Sequence, residues 1–297
     1  MPEQPMTRLT VPILQGRKAA GEKIVALTAY DYPTAEILDR LGVDLILVGD
    51  SVAMVVLGRD NTVSLTVDEL LHHLKPVARA ARRALVIADM PFLSFRLSAE
   101  DAVRNAGRFI QEGGAGGVKI EGASPARLEV VRRLVDAEIP VLGHIGLTPQ
   151  SVLRQGQFKV QGGEAGEGAR IVGEAEALEE AGAFAVVLEC VPLEVAAEIT
   201  ARLSIPTIGI GAGIFCDGQI LVFHDLVGCS RGYLPKFVLQ YAEMDRLVGE
   251  AAARYRDDVR SGSFPDDGHS YHLKPEAVLR FRAALENGPA RPVKKNA

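Results

Sequence analysis

Five short apolar runs in this chain each end on a residue that can ionise. Residues 45–49 end on Asp50, 85–88 on Asp89, 117–118 on Lys119-Ile120-Glu121, 140–143 on His144 and 186–188 on Glu189. Strands of a parallel sheet are buried on both faces and read as continuous apolar runs. A charge at the carboxyl end of one such strand after another makes a single polar floor above a hydrophobic core, which is where barrel enzymes carry their chemistry.

The rest of the chain fits one α/β domain. Apolar runs of strand length alternate with stretches of helical period, the pattern of repeated βα units. The runs place eight strands at residues 24–28, 43–49, 84–89, 117–121, 140–144, 184–189, 206–210 and 221–227. Helix starts are marked by the capping-box-like Thr66-Val67-Asp68-Glu69 and Ser98-Ala99-Glu100-Asp101, and by Ser124-Pro125 and Thr148-Pro149. Eight units without a break in composition predict a closed (β/α)8 TIM barrel. A doubly wound sheet would carry a glycine-rich first turn, whereas here that turn reads Thr28-Ala29-Tyr30-Asp31-Tyr32. The expected organisation is one catalytic domain over 1–297, with a barrel core at 20–235 and a helical extension at 236–287. Within that extension a helix is expected over 236–260 and another over 275–287, with a disordered tail at 288–297.

The chain has 297 residues, 47% of them apolar, enough to bury one full core. A net charge of −5 without long like-charge blocks argues against a nucleic-acid partner. Three cysteines without a Cys-x-x-Cys pair point to a reducing compartment. No apolar stretch reaches the roughly 20 residues of a membrane helix, and residues 1–11 carry no targeting pattern. A cytoplasmic protein is the expectation.

Lys119 and Glu121, two apart on one strand, face the same side, the barrel interior. They could simply neutralise each other as a buried pair. With Asp50, Asp89 and Glu189 around the same mouth, however, carboxylates outnumber the single lysine, and crowded carboxylates call for a metal ion or raised pKa values. An all-oxygen donor set favours magnesium over zinc. Other features carry less. Cys190 has no activating base nearby in sequence and reads as an inert thiol. His269 and His272, three apart, sit in a Gly/Ser/Asp-rich loop and read as solvent-facing or intersubunit residues. Gly209-Ile210-Gly211-Ala212-Gly213 suggests close backbone approach to a ligand, and the five glycines of 156–168 suggest a mobile loop or an exposed connection.

Taken together, Val48-Gly49-Asp50-Ser51, Ala88-Asp89-Met90-Pro91-Phe92, Val118-Lys119-Ile120-Glu121-Gly122, Gly143-His144-Ile145-Gly146-Leu147-Thr148-Pro149-Gln150 and Leu188-Glu189-Cys190-Val191-Pro192 resemble the motifs of the ketopantoate hydroxymethyltransferase family. The resemblance continues through Ile208-Gly209-Ile210-Gly211-Ala212-Gly213, Asp217-Gly218-Gln219 and Pro235-Lys236-Phe237 to His269-Ser270-Tyr271-His272, in order across residues 8–272. It implies a (β/α)8 barrel with one magnesium ion per subunit. It also implies transfer of a hydroxymethyl unit from 5,10-methylenetetrahydrofolate to 3-methyl-2-oxobutanoate, the first committed step towards pantothenate, by a homo-oligomer, often a decamer. Carried onto this chain, Asp50 and Asp89 would hold the metal, with Glu121 bound to it directly or through water. Ser51, Lys119 and His144, with Asp50 and Asp89, would line the keto-acid pocket, and Glu189 would be the catalytic base. Ala53 stands where many members have glycine, and Gln157-Phe158 replaces a Gly-Tyr pair in the flexible loop.

The chemistry supports the same assignment. A C3 proton beside a 2-oxo acid leaves at neutral pH only where enolate charge is stabilised, the work of a Lewis acid and a nearby cation such as Lys119. Two other readings remain: a magnesium-dependent carbon–carbon lyase of the isocitrate lyase or phosphoenolpyruvate mutase type, distinguished by folate independence, and a non-catalytic metabolite-binding barrel.

Overall fold

Eight parallel strands close on themselves in chain order in the computed structural model. They are β1 (Ile24–Thr28), β2 (Leu45–Val48), β3 (Leu85–Asp89), β4 (Gly117–Glu121), β5 (Val141–Gly146), β6 (Ala185–Glu189), β7 (Thr207–Ile210) and β8 (Gly218–Leu221). The described residues are 7–156, 159–230, 232 and 234–288. They divide into two compact units, with the boundary between Glu243 and Met244.

Alternation along the strands explains both the core and the site. Ile24 and Ala26, Leu45 and Leu47, Leu85 and Ile87, Ala185 and Val187 join Leu142, Ile208 and Ile220 in one apolar cluster, the filling of the barrel. The intervening residues, among them Ile46, Val48, Val86, Ala88, Val118, Ile120 and Leu188, belong to a second cluster between strands and helices. Continuing the interior series to the carboxyl ends gives Asp89, Lys119, Glu121, His144 and Glu189. The interior is therefore apolar until its last layer, where it becomes ionisable.

Helix α1 (Val11–Ala20) closes the opposite end, with Leu14 in the interior cluster. Arg17 pairs with Asp44 at 2.9 Å and Lys18 with Asp217 at 2.9 Å, each acid standing at or just before the amino end of a strand. After β1 to β6 come α2 (Tyr32–Arg40), α3 (Val67–Ala80), α4 (Ala99–Gln111), α5 (Pro125–Asp136), α6 (Ala165–Glu180) and α7 (Leu193–Arg202). Thr66 and Glu69 form the expected capping box on α3, and Ser98 caps α4 by accepting from the Asp101 amide.

The last strand differs from its expected place. It is Gly218–Leu221 rather than 221–227, and residues 223–226 form a one-turn helix. The apolar run Leu221-Val222-Phe223 suggested a later strand, but pairing with β1 through Ile24↔Gly218 and Ala26↔Ile220 sets the register. No helix separates β7 from β8: residues 211–217 return directly. With β7 only four residues long, about 13 Å of rise, seven extended residues suffice to span it. The helix expected over 236–260 begins only at Met244. The preceding residues are held by tertiary contacts instead, with Tyr241 N donating to Leu226 O at 2.8 Å and the Phe237 ring against Gly211.

The second unit holds α8 (Met244–Ser261), a turn at Asp267–His269 and α9 (Pro275–Glu286). His269 Nδ1 lies 2.5 Å from Asp266 and His272 Nε2 3.1 Å from Asp267, so each histidine faces an acid and both are exposed. Residues 289–297 of the tail expectation, like Gln157-Phe158, lie outside the described residues.

Candidate active site

The strand ends bring together five of the sequence-predicted groups, and the turn after β2 adds Asp50 and Ser51. Lys119 Nζ lies 2.9 Å from Asp89 Oδ2, which also accepts from the Asp50 backbone N–H at 3.1 Å. The other oxygen, Asp89 Oδ1, is buried with no hydrogen-bond partner among the described residues. Asp50, Asp89, Lys119 and Glu121 are all nearly closed to solvent, between 1% and 5% exposed.

Charge, not packing, dominates this layer. Burial pushes Asp89 up to about 7; Lys119 opposes this, while Asp50 and Glu121 add to it. Burial also works against the Lys119 ammonium, but Asp89, Glu121 and Asp50 outweigh it and hold the lysine protonated. Three acids around one base leave a surplus of negative charge, so the last carboxylate to ionise does so reluctantly.

His144 links this cluster to Glu189. Its Nδ1 lies 3.2 Å from Lys119 Nζ and 3.5 Å from Glu121 Oε1, and its Nε2 lies 3.2 Å from Glu189 Oε2 without hydrogen-bond alignment. Burial and Lys119 disfavour the imidazolium, but Glu121 and Glu189 prevail and raise the ring to about 9. The Nε2 side of the ring lies against Glu189, while Nδ1 can accept from Lys119 or carry its own proton towards Glu121. Glu189 is the half-open member, with 17% of its side chain exposed. A carboxylate at the mouth, held by a histidine behind it, can meet a substrate proton.

Glu121 also reaches other groups, although its Oε1, like Asp89 Oδ1, is buried with no hydrogen-bond partner among the described residues. Its Oε2 accepts from Gln150 N at 3.2 Å and lies 4.0 Å from Arg96. Among the described residues no three His, Cys, Asp or Glu side chains form a ready cation cage. Asp50 and Asp89 are tied together by the Asp50 N–H, and magnesium commonly takes one or two carboxylates from a protein and fills its other positions with water and substrate oxygens. The unpartnered Asp89 Oδ1 and the surplus charge fit a hard cation on that pair.

Three residues join the site that residue spacing did not single out. Gln150 Nε2 donates to Asp50 Oδ2 at 3.1 Å and to Met90 O at 2.9 Å, tying the turn after β5 to the acids. Tyr30 OH is 2.7 Å from Ser51 Oγ, and burial raises the phenol. Arg96 reaches Gln150 Oε1 at 3.3 Å. Cys190 beside Glu189 is inert, with burial and then Glu189 pushing the thiol up to about 12.

Gly146 ends β5 at φ +90°, and a Cβ there would stand 2.3 Å from Glu189 O. Gly146→Ala should therefore cost about 1–3 kcal/mol from backbone conformation alone, with further loss as the Glu189 segment is displaced. A lowered denaturation midpoint in the variant checks this; a wild-type midpoint contradicts it.

Solved structures share the barrel at low identity. Phosphonopyruvate hydrolase, in complex with oxalate and Mg2+, aligns with a TM-score of 0.57 at 14% identity over 94% of this chain and 99% of its own. A 2,3-dimethylmalate lyase of the PEP mutase/isocitrate lyase superfamily aligns at 0.53 and 15%, over 94% and 96%. At this identity the likeness speaks for the fold. Much nearer in sequence are proteins named 3-methyl-2-oxobutanoate hydroxymethyltransferase. That of Moorella thermoacetica is 56% identical over 89% of this chain and 98% of its own length. That of Syntrophomonas wolfei is 51% identical over 93% and 100%. The ketopantoate hydroxymethyltransferase profile matches residues 8–267, which takes in every strand of the barrel and every acid of its floor. By that match and those relatives, the chain is a transferase belonging to the ketopantoate hydroxymethyltransferase family.

Proposed function

We propose that this chain moves a hydroxymethyl unit from 5,10-methylenetetrahydrofolate to 3-methyl-2-oxobutanoate, giving 2-dehydropantoate, the committed step towards pantothenate. The observation that supports it most is the Asp50/Asp89 pair beside Lys119, with Glu189 half-open across His144. Magnesium on Asp50 and Asp89, with Glu121 linked through water, would supply Lewis-acid stabilisation of the 2-oxo acid's oxygens.

The chain's own residues account for the remaining steps. Ser51 and Lys119 hold the keto acid, and the ammonium stabilises negative charge as it develops on the keto oxygen. Glu189 takes the C3 proton while His144 fixes its position. C3 then forms a bond to the one-carbon unit, water supplies the hydroxyl, and both carbon–nitrogen bonds that tie the unit to the folate break, the C3 proton and the second proton of the water ending on the two folate nitrogens. Tetrahydrofolate and 2-dehydropantoate should appear in equal amounts; keto-acid turnover that ignores the folate would favour a lyase.

Proton and metal compete for Asp89. Its folded pKa, about 7, lies above the ordinary carboxylate value, so between about pH 4 and 7 Asp89 holds its proton more in the metal-free folded chain than in the unfolded one. The contribution of Asp89 to stability should then fall as pH rises through that window. Magnesium affinity should rise as pH climbs through 7. Melting curves at pH 5 and 7, with and without magnesium, check both signs; a metal-free melting temperature that rises with pH contradicts them.

No described helix is long and apolar enough to cross a membrane. The assembly that goes with the proposed activity is a cytoplasmic homo-decamer, which a scattering mass measurement tests directly.

A further inference from the structure

We propose that a cleft opening off the acidic floor is a carboxylate-binding subsite, in which Arg127 and Arg154 hold the glutamate end of the folate co-substrate. The proposal rests on the transferase reading above. The cleft has a volume of about 690 Å³ and shares Glu121 and Gln150 with the floor, so a molecule occupying it reaches the reacting centre. Its walls carry Arg96, Arg127, Arg154 and Arg170.

Two of these four guanidiniums already have work. Arg170 pairs with Glu174, and Arg96 lies 4.0 Å from Glu121 and 3.3 Å from Gln150 Oε1. Among the described residues, no carboxylate stands within ion-pair distance of Arg127 or Arg154. Arg127 is nonetheless held in place: it donates to Phe95 O at 3.1 Å and stacks 5.4 Å from the centre of the fully buried Phe95 ring. Arg96 stacks on the same ring at 4.8 Å. The positive charges therefore crowd one another. Burial weakens the Arg127 cation and Arg96 adds to that, while on Arg96 burial and Arg154 act against the Glu121 carboxylate. A bound dianion relieves that repulsion, and a guanidinium fork matches a carboxylate in both shape and charge.

The chemistry of the donor says which anion. Transfer requires the one-carbon unit of methylenetetrahydrofolate at the floor, and the far end of that elongated molecule carries a glutamate with two carboxylates. Arg96, 4.0 Å from Glu121, and Arg127 are half-buried, while Arg154 is exposed. The charged end of the donor thus meets cations while its reactive end meets the acids.

The test compares two donors on the full-length, magnesium-loaded enzyme: methylenetetrahydrofolate, and methylenetetrahydropteroate, which keeps the pterin and the one-carbon unit but lacks the glutamate. For the wild type, KM should be about tenfold or more higher with the pteroate. Arg127→Gln and Arg154→Gln should each raise KM for the folate about tenfold, while leaving KM for the pteroate, KM for the keto acid and folate-free C3 exchange unchanged. Arg154 is exposed, so its variant folds even if the Arg127 variant does not. Equal losses with both donors, or no loss with either, overturn the proposal. A rise in keto-acid KM overturns it in favour of keto-acid binding by these arginines. Normal C3 exchange with no transfer from either donor is the separate signature that the transferase reading itself has failed.

Discussion

Glu189→Gln should abolish exchange of the C3 proton of 3-methyl-2-oxobutanoate, and with it transfer, by roughly 10²–10⁴-fold, the usual share of a general base. Glutamine keeps the size of the side chain and its contact with His144 Nε2, 3.2 Å away in the wild type, but cannot take a proton. Among the described residues Glu189 pairs with His144 and makes no hydrogen bond or ion pair to Asp50 or Asp89, so magnesium and keto-acid binding should persist. Calorimetry on the variant separates lost binding from lost proton transfer. Near-normal exchange would remove Glu189 from the role of base.

Asp89→Ala should have the second large effect, and it should act on metal and stability together. Asp89 Oδ2 accepts from both Lys119 Nζ and the Asp50 amide, while Oδ1 has no hydrogen-bond partner among the described residues. Truncation removes half of the carboxylate pair and leaves the Lys119 ammonium without its nearest partner. Breaking a buried ion pair in this way costs about 3–5 kcal/mol. With Asp89 as a ligand, as proposed, its loss should weaken magnesium by more than the roughly 10–100-fold that follows loss of an outer hydrogen-bond partner. Unchanged magnesium affinity in a folded Asp89→Ala protein would contradict the Asp50/Asp89 assignment.

The acids of the floor were legible because two periodicities coincide there. A parallel strand is apolar on both faces, so a charge can only end it, and the two-residue repeat alone puts Lys119 and Glu121 on one side. His144 and Glu189 follow from the same rule. What the rule could not reach are contacts between turns. Gln150 meets Asp50 across 100 positions of sequence, and nothing local marks it beyond a polar residue after Thr148-Pro149. Tyr30 follows β1 by two residues, which continues the strand's parity, but its role appears only with the bond to Ser51. The late end of the chain departs from its local signals for a related reason. The apolar run after Gln219 and the helical period after Lys236 are local signals, overridden by β1–β8 pairing and by the tertiary bonds of residues 237 and 241. Glu121 is intermediate: its place on the floor was legible from spacing, but its turn towards His144 and Gln150 N was not.

The most direct test of the account is proton NMR of 3-methyl-2-oxobutanoate in D2O with the enzyme, recorded without magnesium, with magnesium, and then with methylenetetrahydrofolate. The C3 signal should disappear only once magnesium is present, and 2-dehydropantoate should form only once the folate is added. Exchange that needs no metal, or a C3 signal that persists with a folded and magnesium-loaded enzyme, would contradict the claim that the Asp50/Asp89 floor and Glu189 together remove that proton.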